Sequence, residues 1–325
     1  MSLVPVRPYV LTLGETMALM SSPEAGPLAH AAMLRLGIGG SESNVAIGLQ
    51  RLDVQAVWCG RVGDDSLGQL VVREIRAEGV DVRAAVDGRA PTGLMVKERR
   101  TASAQRVTYY RAGCAGSRLA ARDVDEDLVR GASVVHLSGI TAALSPVAAE
   151  TLRHVISVAR AAGVPVSFDL NYRAALWSGE DAGRAYREIL PLTDIVFAGA
   201  DEAALAVGRP EGEATDEAEG LARRLAALGP RQAVIKLGAE GALALVEGTV
   251  YRQPAVPIDV VDTVGAGDAF VAGYLAELVG GLGTEARLAT GAQTGAFVCL
   301  IPGDWEGLPR RGELGLLRSR EPVTR

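Results

Sequence analysis

Short apolar runs alternate with longer amphipathic segments along most of the chain. The pattern predicts strands over 9–14, 54–60, 133–140, 164–170, 193–199 and 232–238, and helices over 41–52, 66–79, 145–163, 215–229, 266–280 and 284–300. Strands that alternate with helices pair in parallel, so the pattern predicts an α/β fold with a doubly wound, mostly parallel sheet flanked by helices. Ligands of such sheets bind at the carboxyl ends of the strands. Residues 169–173, 199–202 and 236–241 should therefore share one rim.

The alternation breaks in one region, where two β-rich segments follow each other without a helix. Residues 92–100 and 105–113 predict a hairpin with 101–104 as its turn, and residues 31–40 predict a further strand beside it. We interpret this small β-structure as a lid over the ligand rim.

A single α/β domain is expected over residues 1–325, with the lid formed by segments 15–38 and 91–112. A lid sheet has an exposed edge and face that a second copy of the chain could cover. A homodimer through the lid is therefore predicted.

The amino-acid composition and net charge limit the classes of partner that the protein is expected to bind. The chain has 325 residues, of which 48% are hydrophobic, and a formal net charge of −6. The negative charge argues against nucleic acid, and no apolar run is long enough to span a membrane. The three cysteines and three histidines are too scattered for a zinc set, and no signal peptide is predicted. The expected location is the cytoplasm, and the expected partner is a small molecule.

The stretch VDTVGAGDAF, residues 261–270, carries the clearest chemistry. A helix that begins at Gly265 or Ala266 exposes free backbone N–H groups at its positive end, which favours an anion. Glycines such as Gly265 and Gly267 let a ligand approach the backbone closely. Asp268 is then either a residue that favours the start of a helix, or a base beside an anion site. An anion site plus a base is what phosphoryl transfer requires.

Two common nucleotide motifs are missing from the sequence. No GxxxxGK[ST] occurs, and no GxGxxG follows the first predicted strand. A nicotinamide dehydrogenase is therefore disfavoured, although it stays an alternative.

Two long segments together resemble a known family. VDTVGAGDAF resembles the C-terminal signature of the ribokinase-like (PfkB-type) carbohydrate kinases, and residues 37–52 and 60–68 resemble their N-terminal signature. The resemblance implies that Asp268 is the catalytic base and that Gly265, Ala266 and Gly267 form the anion hole. The chain departs from the family at Val264, where threonine is usual, and at Gly199, where asparagine is frequent.

The resemblance also implies ATP and Mg²⁺. It assigns to the nucleotide Lys236, Gly238, Gly241 and Thr263, although on spacing alone KLGAEGA is equally well a plain turn. It places Glu202 near Mg²⁺ through water, and it allows a monovalent cation, K⁺, near Asp259. A rim carboxylate such as Glu202 is otherwise simply solvated.

Gly39, Gly40 and Asn44 match the sugar-binding segment of the family. Close backbone approach and an amide that both donates and accepts suit a polyol. For Asn44 the alternative is a helix-capping residue.

Two arginines favour a charged substrate. Tyr109 and Arg111 end the lid hairpin, and Asn171 and Arg173 follow a predicted strand. Two guanidinium groups at one rim could bind a carboxylate, although a single arginine is more often a surface charge. Both segments resemble the 2-keto-3-deoxygluconate kinases of the family. Asp304 is a further candidate for the sugar pocket.

The combined interpretation is an ATP-dependent kinase for the primary hydroxyl of 2-keto-3-deoxygluconate or a similar sugar acid. A fructokinase or ribokinase that acts on a neutral sugar is the close alternative, because fructokinases share the DxNxR pattern of residues 169–173. A non-catalytic sugar or nucleotide sensor on the same fold is a third hypothesis.

Overall fold

The computed structural model describes residues 8–101, 104–208 and 218–318. The strands, in chain order, are β1 (Tyr9–Leu13), β2 (Met17–Ser21), β3 (Arg35–Gly39), β4 (Gln55–Gly63), β5 (Asp81–Asp87), β6 (Leu94–Arg99), β7 (Gln105–Tyr110), β8 (Val134–Ser138), β9 (Val166–Asp169), β10 (Ile195–Gly199), β11 (Gln232–Lys236), β12 (Ala242–Val246) and β13 (Thr249–Gln253).

The helices surround these strands. They are α1 (Ser41–Arg51), α2 (Ser66–Ala77), α3 (Glu126–Arg130), α4 (Gly139–Leu144), α5 (Pro146–Ala161), α6 (Gly179–Ile189), α7 (Ala200–Ala206), α8 (Ala218–Ala227), α9 (Ala266–Val279) and α10 (Thr284–Val298). Within the described ranges, no helix combines the length and the apolar character needed to cross a membrane. The helix predicted over 215–229 begins outside these ranges, and its described part is α8.

The main sheet has the strand order β13-β12-β11-β10-β9-β8-β1-β4-β5. The neighbours from β11 to β5 are parallel, and the β11–β12 and β12–β13 pairs are antiparallel. The doubly wound, mostly parallel sheet is therefore confirmed. The β12–β13 hairpin was not predicted. Its turn contains Glu247 and Gly248, both with positive φ (49° and 86°), as tight hairpin turns require.

A second, four-stranded sheet has the order β3-β2-β6-β7. β6 and β7 form the predicted antiparallel hairpin, with Leu94 opposite Tyr110, and β3 is the further strand expected within 31–40. Residues 102 and 103 of the hairpin turn lie outside the described residues. The strand β2 was not predicted. It pairs in parallel with β6 and antiparallel with β3.

The helix α9 holds the glycine-rich stretch in place. Its residues Ala269–Glu277 are buried against one face of the main sheet, where the Tyr274 ring meets that of Phe197 edge-on at 5.2 Å between centroids. Because both rings are fully buried, the first turn of α9 is fixed relative to the carboxyl ends of the strands.

Candidate active site

Two cavities meet at the carboxyl rim of the main sheet. The polar cavity, of about 460 Å³, is lined by Met95, Lys97, Val107, Tyr109, Asp169, Asn171, Arg173, Gly199, Glu202, Lys236, Thr263, Val264, Gly265, Gly267, Asp268 and Asp304. The apolar cavity, of about 480 Å³, is lined by Lys236, Gly238, Ala239, Gly241, Ala255, Val256, Pro257, Ile258, Val260, Thr263, Ala266, Gly267, Phe270, Ala292, Gly295, Ala296 and Cys299. Lys236, Thr263 and Gly267 line both. The start of α9 therefore lies where the two cavities join.

The turn before α9 depends on glycine at one position. Gly265 has φ 78°, in the left-handed region, and a Cβ there would lie 1.9 Å from the backbone oxygen of Asp304. The Ala266 N–H donates to the Thr263 oxygen at 3.2 Å. The N–H of Gly267 makes no hydrogen bond to the part of the chain that the structure describes, and Gly267 lines both cavities. An unpaired amide at a helix start attracts an anion.

Asp268, in the first turn of α9, is held by two hydrogen bonds. Ser41 Oγ donates to Oδ1 at 2.7 Å, and Asn44 Nδ2 donates to Oδ2 at 2.9 Å. Asn171 Nδ2 in turn donates to Ser41 Oγ at 2.7 Å. Burial raises the pKa of Asp268 above its usual value, although the bonds from Ser41 and Asn44 lower it. The carboxylate is thus oriented, lines the polar cavity and is more basic than an ordinary aspartate.

The side chains of Ser41 and Asn44 donate hydrogen bonds to this carboxylate instead of capping helix α1. The sequence had left helix capping as the alternative for Asn44. In the structure the N-cap of α1 is Gly40, which makes no side-chain cap. The role of Ser41 was missed because its acceptor is 227 positions away.

A buried cation from the lid reaches the same turn. Lys97 Nζ, on β6, lies 2.9 Å from Asp262 Oδ2 and 3.5 Å from Asp304 Oδ1. Asp262 Oδ1 accepts the N–H of Val264 at 3.1 Å. Burial raises the pKa of Asp304 to about 6, although Lys97 lowers it. Asp304, which the sequence analysis proposed for a sugar pocket, lines the polar cavity, and sequence reasoning had not found Lys97.

The two arginines expected to share one carboxylate are in different settings. Arg173 is exposed, lines the polar cavity, and donates one bond, from Nη1 to the Tyr172 oxygen at 3.0 Å. Arg111 is buried outside that cavity, where Nε and Nη2 both donate to Glu15, the former at 2.8 Å. Glu15 is almost fully buried and needs a counterion. The expectation that Arg111 grips the substrate therefore does not match its position.

Arg111 instead lies behind Tyr109. Its guanidinium carbon is 5.5 Å from the centre of the Tyr109 ring, within the range of cation–π contact. Tyr109 lines the polar cavity as predicted. The pair Arg111–Glu15 thus supports a cavity wall without forming it.

Gly39 and Gly40 permit close packing beside the polar cavity. A Cβ on Gly39 would lie 2.3 Å from Asp304 Oδ2, and one on Gly40 would lie 2.5 Å from the Glu15 backbone oxygen. Both glycines therefore let the lid strand β3 approach the residues that line the cavity or support it.

The residues expected near the nucleotide lie around the apolar cavity. Gly238 and Gly241 line it with φ 56° and 99°, and the exposed Asp259 lies between two of its lining residues, Ile258 and Val260. The walls fit a flat apolar base, and the Gly267 amide, where the apolar cavity joins the polar one, fits a phosphate.

Glu202 lines the polar cavity, but both oxygens of its carboxylate already accept backbone hydrogen bonds. It accepts the N–H of Gly199 at 2.6 Å and that of Tyr172 at 2.9 Å. Among the described residues, no group of three acids, histidines or cysteines could hold a metal ion. A Mg²⁺ ion here would therefore be held mainly by phosphates and water, as Mg²⁺ commonly is.

A second buried carboxyl, Glu42 of α1, lies near Asp268. It is fully buried, and its Oε1 accepts hydrogen bonds from Ser138 at 2.7 Å and Thr141 at 2.8 Å. Its Oε2 has no partner in the described part of the chain. Burial raises the pKa of Glu42 to about 7, against the lowering effect of the Ser138 bond.

We expect Glu42→Gln to stabilise the protein at pH 8. The raised pKa means that stability from this group is complete below about pH 4.5 and is lost as pH rises through 7. Because an amide can keep both hydroxyl bonds without a buried charge, the gain at pH 8 should reach up to about 3 kcal/mol. Denaturant unfolding at pH 5 and pH 8 measures it, with exposed Glu150→Gln as control. Equal destabilisation of Glu42→Gln at both pH values would contradict this prediction.

Comparison with known proteins places the chain in a family. Residues 7–311 match the model of the pfkB family carbohydrate kinases. The chain is 36% identical over 296 residues to a 2-dehydro-3-deoxygalactonokinase of Haloferax volcanii, covering 91% of this chain and 92% of that protein. It is 35% identical over 315 residues to a 2-dehydro-3-deoxygluconokinase of Bacillus subtilis, covering 96% and 95%.

A solved structure agrees with these relatives. The 2-dehydro-3-deoxygluconokinase of Thermotoga maritima superimposes with a TM-score of 0.87 at 26% identity, over 96% of this chain and 100% of that one. The two signatures, the glycine turn with its aspartate and the large sheet with its small partner sheet all fit this relationship. The chain belongs to the pfkB family of carbohydrate kinases.

Proposed function

We propose that this kinase transfers the γ-phosphoryl group of ATP to the primary hydroxyl of a 2-keto-3-deoxy sugar acid, 2-keto-3-deoxygluconate or its galacto epimer. The observation that carries the proposal is the position of Asp268. Asp268 lines the polar cavity, and the preceding residue, Gly267, lines both cavities. A base and an anion site thus adjoin at the point where a hydroxyl and a phosphate would meet.

The polar cavity holds the sugar acid. Arg173 offers an exposed guanidinium there, with Tyr109 and Asn171 as neighbouring hydrogen-bonding groups. A guanidinium suits a carboxylate better than a neutral hydroxyl, because it can donate two parallel hydrogen bonds. The two curated relatives described above act on sugar acids by name, which supports the same assignment.

The apolar cavity holds the nucleotide. Its walls include Ile258, Phe270, Ala292 and Ala296, which suit a purine ring. Lys236, Gly238, Gly241 and Thr263 line the same cavity and stay our prediction for nucleotide contacts.

The protein supplies orientation, charge and a proton acceptor. Ser41 and Asn44 hold the Asp268 carboxylate so that it can accept the proton of the attacking hydroxyl. The N–H of Gly267 stabilises the charge that spreads over the phosphoryl oxygens, whereas the N–H of Ala266, expected in the same anion hole, already donates to the Thr263 oxygen. Mg²⁺, when bound to the phosphates, neutralises part of their charge. We propose Glu202 as the carboxylate that orients this ion through water.

Two further predictions belong to this proposal. K⁺ near Asp259 is tested by comparing rates in KCl and in a chloride salt of a bulky organic cation. A homodimer through the lid is tested by the mass of the protein in solution, and exposed Leu36 and Tyr110 on the lid sheet are consistent with it.

We expect Arg173→Ala to lower kcat/KM for 2-keto-3-deoxygluconate by about 10- to 150-fold, the value of one or two lost hydrogen bonds to a charged group. Rates with fructose and ribose should change little, because a neutral sugar offers this guanidinium no charge. Steady-state kinetics with the three sugars measures the effect.

The control variant is Arg160→Ala, which removes an exposed arginine from the end of α5. If the wild type prefers neutral sugars and Arg173→Ala affects no substrate selectively, the sugar-acid assignment is wrong and a neutral-sugar kinase takes its place. If no sugar supports ADP formation, the protein is a sensor on this fold.

A further inference from the structure

Lys236 occupies an unusual position between the two cavities. It is the last residue of β11, and its ammonium group crosses the end of β10, where Gly199 carries no side chain, to reach Asp169 at the end of β9. Nζ lies 2.9 Å from Asp169 Oδ1 and 2.8 Å from Oδ2. The Asp169 side chain is 2% exposed and that of Lys236 is 19% exposed. Lys236 lines both cavities, whereas Asp169 lines the polar cavity alone.

The ammonium group keeps one donor free of Asp169. An ammonium has three N–H donors, and the two oxygens of Asp169 take two of them. A Cβ built on Gly267 would lie 3.5 Å from Lys236 Nζ, so the ammonium group is close to Gly267, which lines both cavities. The remaining donor is thus within reach of an anion bound at that amide.

The negative charge of the surrounding carboxylates favours a cation at the position of Lys236. The carboxylates of Asp169, Glu202 and Asp268 all act on Lys236 and raise its pKa against the effect of burial. The polar cavity offers Arg173 at its outer side, whereas Lys97 is already paired with Asp262. A polyphosphate that enters from the apolar cavity would meet these carboxylates first if Lys236 were absent, and like charges repel.

We propose that Lys236 is a catalytic residue that binds the transferred γ-phosphoryl group, and that Asp169 is the positioning residue that holds its ammonium at the junction of the cavities. The proposal rests on the proposed function only in taking ATP as the donor. It goes beyond the earlier assignment of Lys236 to the nucleotide, because it assigns the lysine to the γ-phosphate rather than to the nucleotide as a whole.

The phosphoryl transfer requires no change of protonation at Lys236. The sugar hydroxyl oxygen forms a bond to the γ-phosphorus, and the bond from that phosphorus to the bridging oxygen of ADP breaks. The hydroxyl proton goes to Asp268. Lys236 donates a hydrogen bond to a peripheral phosphoryl oxygen throughout and stays an ammonium.

The test compares nucleotides that differ by the γ-phosphate. Calorimetry with Mg²⁺ measures the dissociation constants of ADP and of the non-hydrolysable analogue β,γ-imido-ATP for the wild type, Lys236→Met and Asp169→Asn. We expect Lys236→Met to weaken the analogue about 10- to 100-fold more than ADP. We also expect kcat to fall about 100- to 1,000-fold, the range for loss of one charge-stabilising donor, with little change in the sugar KM.

Asp169→Asn separates catalysis from structure. The asparagine oxygen still accepts one hydrogen bond from the ammonium and keeps Lys236 in position, so the preference for the triphosphate analogue should persist and kcat should fall by less than about 10-fold. If Lys236 only completes a structural ion pair, Asp169→Asn and Lys236→Met will be equally damaging and will weaken ADP and the analogue equally. That outcome would overturn the proposal.

A double variant tests whether misfolding of Lys236→Met accounts for its loss of nucleotide discrimination. Lys236→Met leaves Asp169 buried without a counterion, which is a strongly destabilising change. Asp169→Asn with Lys236→Met removes both charges together, and in it the loss of discrimination between the analogue and ADP should persist. Because the nucleotide measurements contain no sugar, they do not depend on which sugar the enzyme phosphorylates.

Discussion

Exchange of Asp268 for asparagine should lower kcat by about 10²- to 10⁴-fold, the usual contribution of a general base. Asparagine can still accept the hydrogen bond from Ser41, but it cannot take a proton from the sugar hydroxyl. Binding of the sugar and of β,γ-imido-ATP should stay within a few-fold of wild type, because the cavity keeps its shape. Steady-state kinetics and calorimetry give both quantities.

The pH profile makes this prediction sharper. Because burial raises the pKa of Asp268, the wild-type kcat/KM should fall as pH drops through that raised value, where the base becomes protonated. The residual activity of Asp268→Asn should lack this acid limb. The control is Asp64→Asn at an exposed position. Normal turnover of Asp268→Asn would remove the base from the mechanism.

Gly265→Ala is the second change with a large expected effect. Alanine is strained at φ 78°, and its Cβ would also lie 1.9 Å from the backbone oxygen of Asp304. The turn and the segment at 304 must therefore move apart, which displaces the amides that face the junction. We expect kcat to fall by about 10²- to 10³-fold, as when a charge-stabilising donor is lost, and the melting temperature to fall as well.

Gly281→Ala is the matched control for backbone strain. Gly281 has φ 74°, almost the same conformation, but a Cβ there meets no atom within 4 Å. Both variants should lose stability from strain, and only Gly265→Ala should lose turnover beyond that. Equal kcat values for the two variants would show that the contact with residue 304 does not matter.

The local part of this site was readable from the sequence. The glycine turn and Asp268 are consecutive residues, so one segment supplies both the anion site and the carboxylate, and helix geometry fixes their relation. The regular alternation likewise predicted the parallel strands β1, β4, β8, β9, β10 and β11, though not β5, because each strand and its following helix are local units.

Contacts between segments that are distant in the chain could not be predicted from the sequence. Lys97 and Asp262 are 165 positions apart, and each alone is typical of a solvated surface. Arg111 was expected to bind substrate, yet the buried carboxylate that it neutralises, Glu15, lies in the loop after β1. Nothing in the pattern around Glu15 indicates that it is buried. Pairing of this kind is decided by tertiary packing.

Two missed elements have a simpler cause. The strand β2 is five residues long and follows β1 after a short loop, so its apolar run merges with its neighbour in the sequence. The β12–β13 hairpin turns at Glu247-Gly248, and glutamate replaces the asparagine or aspartate that usually marks such a turn in a sequence. Both depend on pairing that strand propensity alone does not specify.

The contact of Lys97 with Asp262 bears on how this family could be re-engineered. A chimera that takes its lid from another sugar kinase without a cation at position 97 would leave Asp262 and Asp304 as two adjacent negative charges in a dry environment. The grafted lid would then be pushed away from the body of the enzyme. Substrate preference in this protein should therefore be exchangeable only when strand β6 and the segments around 262 and 304 are transplanted as one set.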